Sequence, residues 1–291
     1  MKKFILWLLA FIITVVAAIY QRETGPTYPK RLKIPLDNSI TELKLVRSLS
    51  LNEKPQVKLN INDSTIKARL FCKRFKSDEE YQVTDFSYKV YPVNSAFMNK
   101  VFKIYEDRGL FAPVPQQPPA GKLQYYFEIT DSKEIRTFLK DTPVVIRFKG
   151  DVPAFVLVPH ILLMFVAMLF STLAGLMAVS KVSLYKKYAL WTLILFVIGG
   201  FILGPLVQNF AFGELWTGIP FGWDLTDNKT LIALIFWILA VVMNRRGDKP
   251  IFTVLAAIVL LVVFSIPHSL FGSELNYSSG QVTTGIILTF F

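Results

Sequence analysis

The sequence predicts a membrane protein in two parts: an α-helical transmembrane bundle of four helices plus an N-terminal anchor, and an all-β sandwich outside the membrane. Three observations carry this reading. The 291-residue chain is 53% hydrophobic and only 18% charged, against about a quarter charged in soluble domains. Its charges are segregated, with 23 Lys+Arg and 15 Asp+Glu in residues 21–150 but only 7 and 5 in residues 152–291. Long apolar runs lie at the N-terminus and beyond residue 152, whereas the stretch between them alternates apolar with polar residues.

The first element, residues 1–20, opens with Lys2 and Lys3 and continues as an apolar run. It reads as an uncleaved anchor or as a signal peptide with a small-residue site at Val16-Ala17-Ala18, and both readings put Gln21 onward outside the cytoplasm. Residues 21–151 read as β. "QVKLNINDSTIKARLFCKRF" alternates on both sides of Asn62-Asp63-Ser64, a hairpin signal. "QVTDFSYKVYPV", "KLQYYFEIT" and "PVVIRFKG" repeat the alternation, and Pro113, Pro115, Pro118 and Pro119 mark a loop between strands. About seven short strands suggest a β-sandwich, with a short helix in "MNKVFKIYEDRGL". The single cysteine, Cys72, has no intramolecular disulfide partner and reads as a small buried apolar residue.

The bundle, residues 152–268, has four runs without internal formal charge, at roughly 153–179, 187–207, 229–244 and 250–268. Each approaches the length that crosses about 30 Å of hydrocarbon at about 1.5 Å per residue. Lys2 and Lys3, the lysines of "SKVSLYKKY" and the basic residues of "NRRGDKP" fall on one side of an alternating topology, and basic short loops mark the cytoplasm. Residues 21–151, the 208–228 loop and the tail 269–291 therefore share the outer side. The tail, too short for a span, reads as a surface-hugging segment or as an extra strand on the β domain. This is the layout of a multi-pass bacterial inner-membrane protein with residues 21–151 and the C-terminus in the periplasm.

"ARLFCKRF" followed by "YEDRGLFAPVPQQPPAGKLQYYFEITDS" resembles bacterial immunoglobulin-like modules, in which a Pro-rich turn precedes an Ala-Gly-Lys-hydrophobic-x-Tyr-Tyr strand. The resemblance covers residues 65–132 and implies an immunoglobulin-like sandwich with a binding or spacing role. The whole layout, through "RFKGDVPAFVLVPHILLMF" and "FGELWTGIPFGWDLTDNKT", resembles uncharacterised polytopic inner-membrane proteins of Gram-negative bacteria that carry such a periplasmic domain. That resemblance implies architecture and no chemistry.

Candidate site residues cluster on the outer side of the bundle. His160 and His268 are the chain's two histidines. His160 lies about seven residues, about 10 Å, inside its helix, and His268 closes the last helix at the same face. As a pair they would suit haem b, or a metal, because imidazole is a common ligand for both; as structural residues they would hydrogen-bond a neighbouring helix and sit at the interface. The connection "AFGELWTGIPFGWDLTDNKT" carries Glu214, Trp216, Trp223, Asp224, Asp227, Asn228 and Lys229. Its tryptophans suit headgroup depth. Thr226 or Asp227 is placed to cap a helix beginning near Asn228, and Asp224, Asp227 and Lys229 would otherwise form a polar cluster for a cation or a substrate group. Gly200 and Gly204, and Ala174, Gly175 and Ala178, read as close-packing helix faces.

The net charge of +11 does not point to nucleic acid: it is spread along strands and at membrane edges, where lipid headgroups are the natural partner. The chain has no Walker-type phosphate loop, no Gly-x-Ser-x-Gly and no His-Glu-x-x-His. Spans without internal charge do not suit a secondary transporter. The expected role is a non-enzymatic interaction or accessory subunit, with no cofactor, binding lipid and a protein partner of the inner membrane or periplasm through the sandwich and the 208–228 loop. The alternatives are a haem b redox subunit ligated by His160 and His268, and a metal-dependent membrane enzyme using Asp224, Asp227 and the histidines.

Overall fold

The computed structural model describes residues 2–36, 39–131, 134–268, 273–277, 279–280 and 282–283. The chain divides into two compact units, one of residues Thr27–Lys149 and one of residues Met1–Pro26 with Gly150–Phe291.

The first unit is β. Its strands are β1 (Lys30–Leu36), β2 (Ser39–Leu45), β3 (Ser48–Ser50), β4 (Gln56–Leu59), β5 (Lys67–Arg74), β6 (Gln82–Asp85) and β7 (Ser87–Pro92), then helix α2 (Ala96–Val101) and strands β8 (Glu106–Pro113), β9 (Lys122–Thr130), β10 (Ile135–Phe138) and β11 (Val144–Lys149). A six-stranded sheet runs β3-β11-β9-β5-β6, with β10 also on β9; a second sheet runs β4-β8-β7, and β1 and β2 form a hairpin. The period-2 alternation has the physical result that the sequence implies. Ala68, Leu70 and Cys72 of β5, Leu123, Tyr125, Phe127 and Ile129 of β9, and Val144, Ile146 and Phe148 of β11 all point into one core, shared with Val57 and Leu59 of β4, Leu110 and Ala112 of β8, and the hairpin's Ile34, Leu36, Leu43 and Leu45.

Two local expectations fail here. β4 and β5 do not form a hairpin: β4 pairs with β8, while β5 pairs with β6 and β9. The turn signal is real, since Asp63 Oδ1 accepts from Thr65 N at 2.8 Å, but it turns the chain from one sheet to the other. The helix in "MNKVFKIYEDRGL" stops at Val101, and Glu106 onward is strand. Pairing decides this, because Leu110, Phe111 and Ala112 are buried in β8. Gly109 of that strand has φ +154, and a Cβ on it would lie 2.6 Å from the Leu59 carbonyl oxygen.

The second unit is helical: α1 (Lys2–Thr24), α3 (Ala154–Val179), α4 (Tyr185–Phe196) continuing through a π-helical segment (Val197–Leu203) into α5 (Gly204–Phe212), then α6 (Leu225–Arg245) and α7 (Pro250–Ser265). Among the described residues, four helical stretches are long and apolar enough to cross a membrane: Lys3–Thr24, Ala154–Val179, Tyr185–Phe212 and Leu225–Arg245. The last helix is shorter than the expected 250–268 run. It has 16 residues, about 24 Å at about 1.5 Å per residue. Ile266 is extended (φ −76, ψ 121), as a residue before proline is driven to be. α6 begins earlier than expected, because Asp224 caps it: its side chain accepts from Thr226 N and Asp227 N. Thr226 and Asp227 are therefore receivers of the cap rather than its source.

Small residues set the helix spacing. A Cβ on Gly175 of α3 would lie 2.6 Å from Ala257 Cβ of α7. Ala167, Ala233, Ala240 and Ala256 are fully buried around Trp237 and Phe196. α1 packs into the same unit, with Leu6 and Ala10 against Leu173, Met177 and Tyr185. The outward faces are apolar, including Phe155, Leu162, Ile202, Ile232, Ile235 and Val262, as lipid contact requires. In the expected tail, Glu274–Leu275 pairs with Val282–Thr283, and residues 269–272 and 284–291 lie outside the described residues.

Candidate functional site

Polar side chains converge where α5, the 213–224 loop, the start of α6 and the end of α7 meet. α5 ends on Gly213, whose φ of 85 supplies the left-handed residue that stops the helix. The chain then crosses to Asp224. Asp224 Oδ1 takes the first orphan amides of α6, Thr226 N at 2.7 Å and Asp227 N at 3.2 Å. Its own amide donates to Thr217 O at 3.0 Å.

Asp227 faces back into the loop. Its Oδ2 accepts from Thr217 N at 2.6 Å, Thr217 Oγ1 at 3.1 Å and Gln208 Nε2 at 3.3 Å. Gln208 Nε2 also donates to Thr217 Oγ1 at 2.6 Å. Asn228 Oδ1 accepts from Ile219 N at 2.7 Å. Between them sits Gly218, where a Cβ would lie 2.7 Å from Asp227 Cβ and 2.8 Å from Asn228 Oδ1. Trp216 is held on both faces of its chemistry: its ring stacks on Phe201 at 5.5 Å, and its Nε1–H donates to Ile219 O at 3.1 Å.

Thus Asp224, Asp227, Asn228 and Trp216 are brought together, and their polar atoms bind the backbone of the loop and of the first turn of α6. Glu214 and Trp223 are not part of this core. Both are solvent-facing, and Trp223 is 72% exposed beside Phe221 at 81%. Lys229 is buried and turns the other way, donating to Ile266 O at the end of α7 at 2.5 Å. Gln21 Nε2 of α1 reaches the same carbonyl at 3.5 Å.

Comparisons with protein-family models, with curated proteins and with solved structures each find no match. The chemistry therefore has to be argued from geometry.

The π-helical segment explains the position of His160. Pro205 has no N–H to give to a regular helical ladder. The Gly204 amide instead reaches Gly199 O, and that carbonyl also receives His160 Nδ1 at 2.9 Å. The Nε2 atom of His160 is thereby left as its second ring nitrogen. His268 lies just past the end of α7 and is exposed. Among the described residues, no three His, Cys, Asp or Glu side chains are arranged to hold a metal ion.

Sequence reasoning missed Thr217, Gln208 and the close approach at Gly218. Gln208 carried a usable signal, as the first amide side chain near the end of a long apolar run. It also missed a second cluster at the other end of the bundle. There the Tyr185 hydroxyl lies between Asn244 Oδ1, at 2.6 Å, and Asp248. Asn244 Nδ2 donates to Ala240 O and to Thr253 Oγ1, and Lys186 pairs with Asp248 at 3.2 Å. This cluster ties the two short basic connections of the bundle together.

Proposed function

We propose that this chain is a multi-pass protein of a bacterial inner membrane, acting as a non-enzymatic interaction or accessory subunit. Its immunoglobulin-like β unit and its 213–224 loop, both periplasmic in this reading, are the platform for a protein partner. The observation that carries the proposal is the division of labour within the loop. Asp224, Asp227 and Asn228 are consumed in fixing the backbone of the loop and of the first turn of α6, while Leu215, Ile219, Phe221 and Trp223 stand exposed. Carboxylates that already accept several backbone and side-chain hydrogens are poorly placed for acid–base work. A fixed loop that displays aromatic side chains has little ordering entropy left to lose on binding, and Trp in a central contact is a common hot spot.

The test is affinity purification of the gently solubilised chain, compared with a Phe221→Ser/Trp223→Ser double variant. The proposal expects a protein partner with the parent chain, recovered at least about tenfold less with the variant at equal thermal stability, since loss of one hot-spot side chain costs about 2 kcal/mol or more. Equal recovery of every co-purifying protein would contradict it.

A second reading rests on His160. Its Nδ1 is fixed by Gly199 O, which supports a haem b site, because a ligating histidine is normally oriented through its other nitrogen. An optical spectrum of the same preparation separates the two. A Soret band lost in His160→Ala would favour the redox subunit, and its absence the interaction subunit.

A further inference from the structure

A narrow groove opens between α4 and α6 at the end of the bundle that carries the basic connections. Each helix supplies one face to it: Lys186, Ala189 and Leu190 from α4, and Val241, Asn244 and Arg245 from α6. These are neighbours at helical spacing. Ala189, 1% exposed, is too short to fill the space beside Val241, and a cavity of about 130 Å³ remains. Asn244, which is buried, has no polar atom to spare. Its Oδ1 accepts from the Tyr185 hydroxyl and from Lys249 N, and its Nδ2 donates to Ala240 O and to Thr253 Oγ1. The groove therefore has its shape fixed before anything enters it.

Its mouth and its walls differ in chemistry. Lys186, in the first turn of α4, and Arg245, in the last turn of α6, stand exposed at the mouth. Lys186 is held by Asp248 at 3.2 Å, which leaves it further N–H groups to donate. Among the described residues Arg245 pairs with no carboxylate. Residues 180–187 and 245–249 together hold six basic side chains and one acid, Asp248. Below the mouth the walls are apolar. The same faces continue along the helices as Leu190, Ile194 and Ile238, which are 40%, 37% and 45% exposed. From Lys186 to Ile194 the helix rises about 12 Å.

We propose that this groove binds one acidic phospholipid, with its phosphate between Lys186 and Arg245 and the top of one acyl chain along Leu190, Val241 and Ile194. A guanidinium and an ammonium match the oxygens of a phosphodiester, and basic pockets between membrane helices suit anionic headgroups. Other occupants fit less well. The cavity is well below the about 300 Å³ of an ordinary small-molecule site and too narrow for a helix about 10 Å across. A free anion would gain nothing from the apolar walls. The proposal rests on the helical unit lying in a membrane, but not on which end faces the periplasm or on a partner at the 213–224 loop. Extraction of membranes with alkaline carbonate reads that premise separately: release of the chain overturns the membrane reading and this site with it.

The experiment is a lipid titration of the full chain in mild detergent, read by native mass spectrometry as the affinity for the first bound lipid. Each basic side chain beside an anionic headgroup is worth about fivefold. Phosphatidylglycerol is therefore expected to bind at least about fivefold more tightly than phosphatidylcholine of the same acyl chains. Lys186→Gln/Arg245→Gln should lower the phosphatidylglycerol affinity by about twentyfold, with an unchanged thermal midpoint in the absence of lipid. Lys187→Gln/Arg246→Gln removes the same charge from the same rim outside the groove and should lower it far less. Equal affinity for the two lipids overturns the proposal, and this comparison needs no variant. Equal losses in the two double variants overturn the groove in favour of diffuse rim charge. Displacement of the bound lipid by inorganic phosphate overturns it in favour of a free-anion site.

Discussion

Asp227 and Lys229 are two residues apart, both buried, and they do different things with their burial. Asp227 gathers three donors from Thr217 and Gln208, whereas Lys229 reaches a single carbonyl on α7. Removing the acceptor in Asp227→Ala leaves the Thr217 amide unsatisfied in a buried place, which costs about 1–3 kcal/mol. We expect a lower thermal midpoint in detergent and altered tryptophan emission as Trp216 loses its stack, while Asp227→Asn, which keeps one oxygen, should lose less. Gly218→Ala should act on the same loop by overpacking, at a cost of about 1–3 kcal/mol, because its Cβ has nowhere to go. The β unit offers a third check. Burial pushes the Cys72 thiol from 9.0 up to about 12. At pH 8 its thiolate fraction is then about a thousandfold below that of a free thiol. Alkylation should be undetectable in the folded chain and rapid in denaturant. The sign for stability follows: a raised folded value contributes fully below pH 9 and is lost as pH climbs toward 12. Cys72 as a buried apolar group was legible in the sequence from its place in an alternating strand. The cap was not, because Asp224, Thr226 and Asp227 are all competent caps, and only the backbone geometry at Asp224 (φ −57, ψ 125) selects one.

Among the elements, interiors were legible and partners were not. Hydropathy marks where an apolar helix runs, and alternation marks a strand, but neither says what it packs against. Strand β5 was visible as "KARLFCKR", yet its neighbours are β6 and β9 rather than β4, since a period of two specifies a buried face and not a partner. Helix ends were misjudged where a local effect outweighs hydropathy: Asp224 extends α6 by a turn, and Pro267 ends α7 early. Close-packing glycine was readable at Gly175 because small residues surround it at 174 and 178. Its partner, Ala257, was not. Gly175→Leu should force α3 and α7 apart and destabilise the bundle by at least about 1–3 kcal/mol. Adding Ala257→Gly should recover part of that loss; an unchanged deficit in the double variant would show that the two positions do not meet. The measurement is a double-mutant comparison of thermal unfolding in one detergent.

At the scale of the whole molecule, the partition of charge was the most informative feature of the sequence. It separated a β unit from a helical unit two residues from the observed division at Lys149 and six from that at Thr27. It also arranged the bundle ends. The short connections 180–184 and 246–249, with the helix ends beside them, carry Lys181, Lys186, Lys187, Arg245, Arg246 and Lys249, and the loop 213–224 carries the exposed Phe221 and Trp223. The polar clusters repeat the division: Tyr185, Asn244 and Asp248 at one end, Thr217, Asp224 and Asp227 at the other. The proposed role needs these ends in different compartments. The direct measurement is labelling of single cysteines in a Cys72→Ala background, with a membrane-impermeant reagent on intact cells and again after permeabilisation. The account predicts that Trp223→Cys is labelled in intact cells and that Lys186→Cys is labelled only after permeabilisation. Labelling of both positions in the same compartment would contradict it.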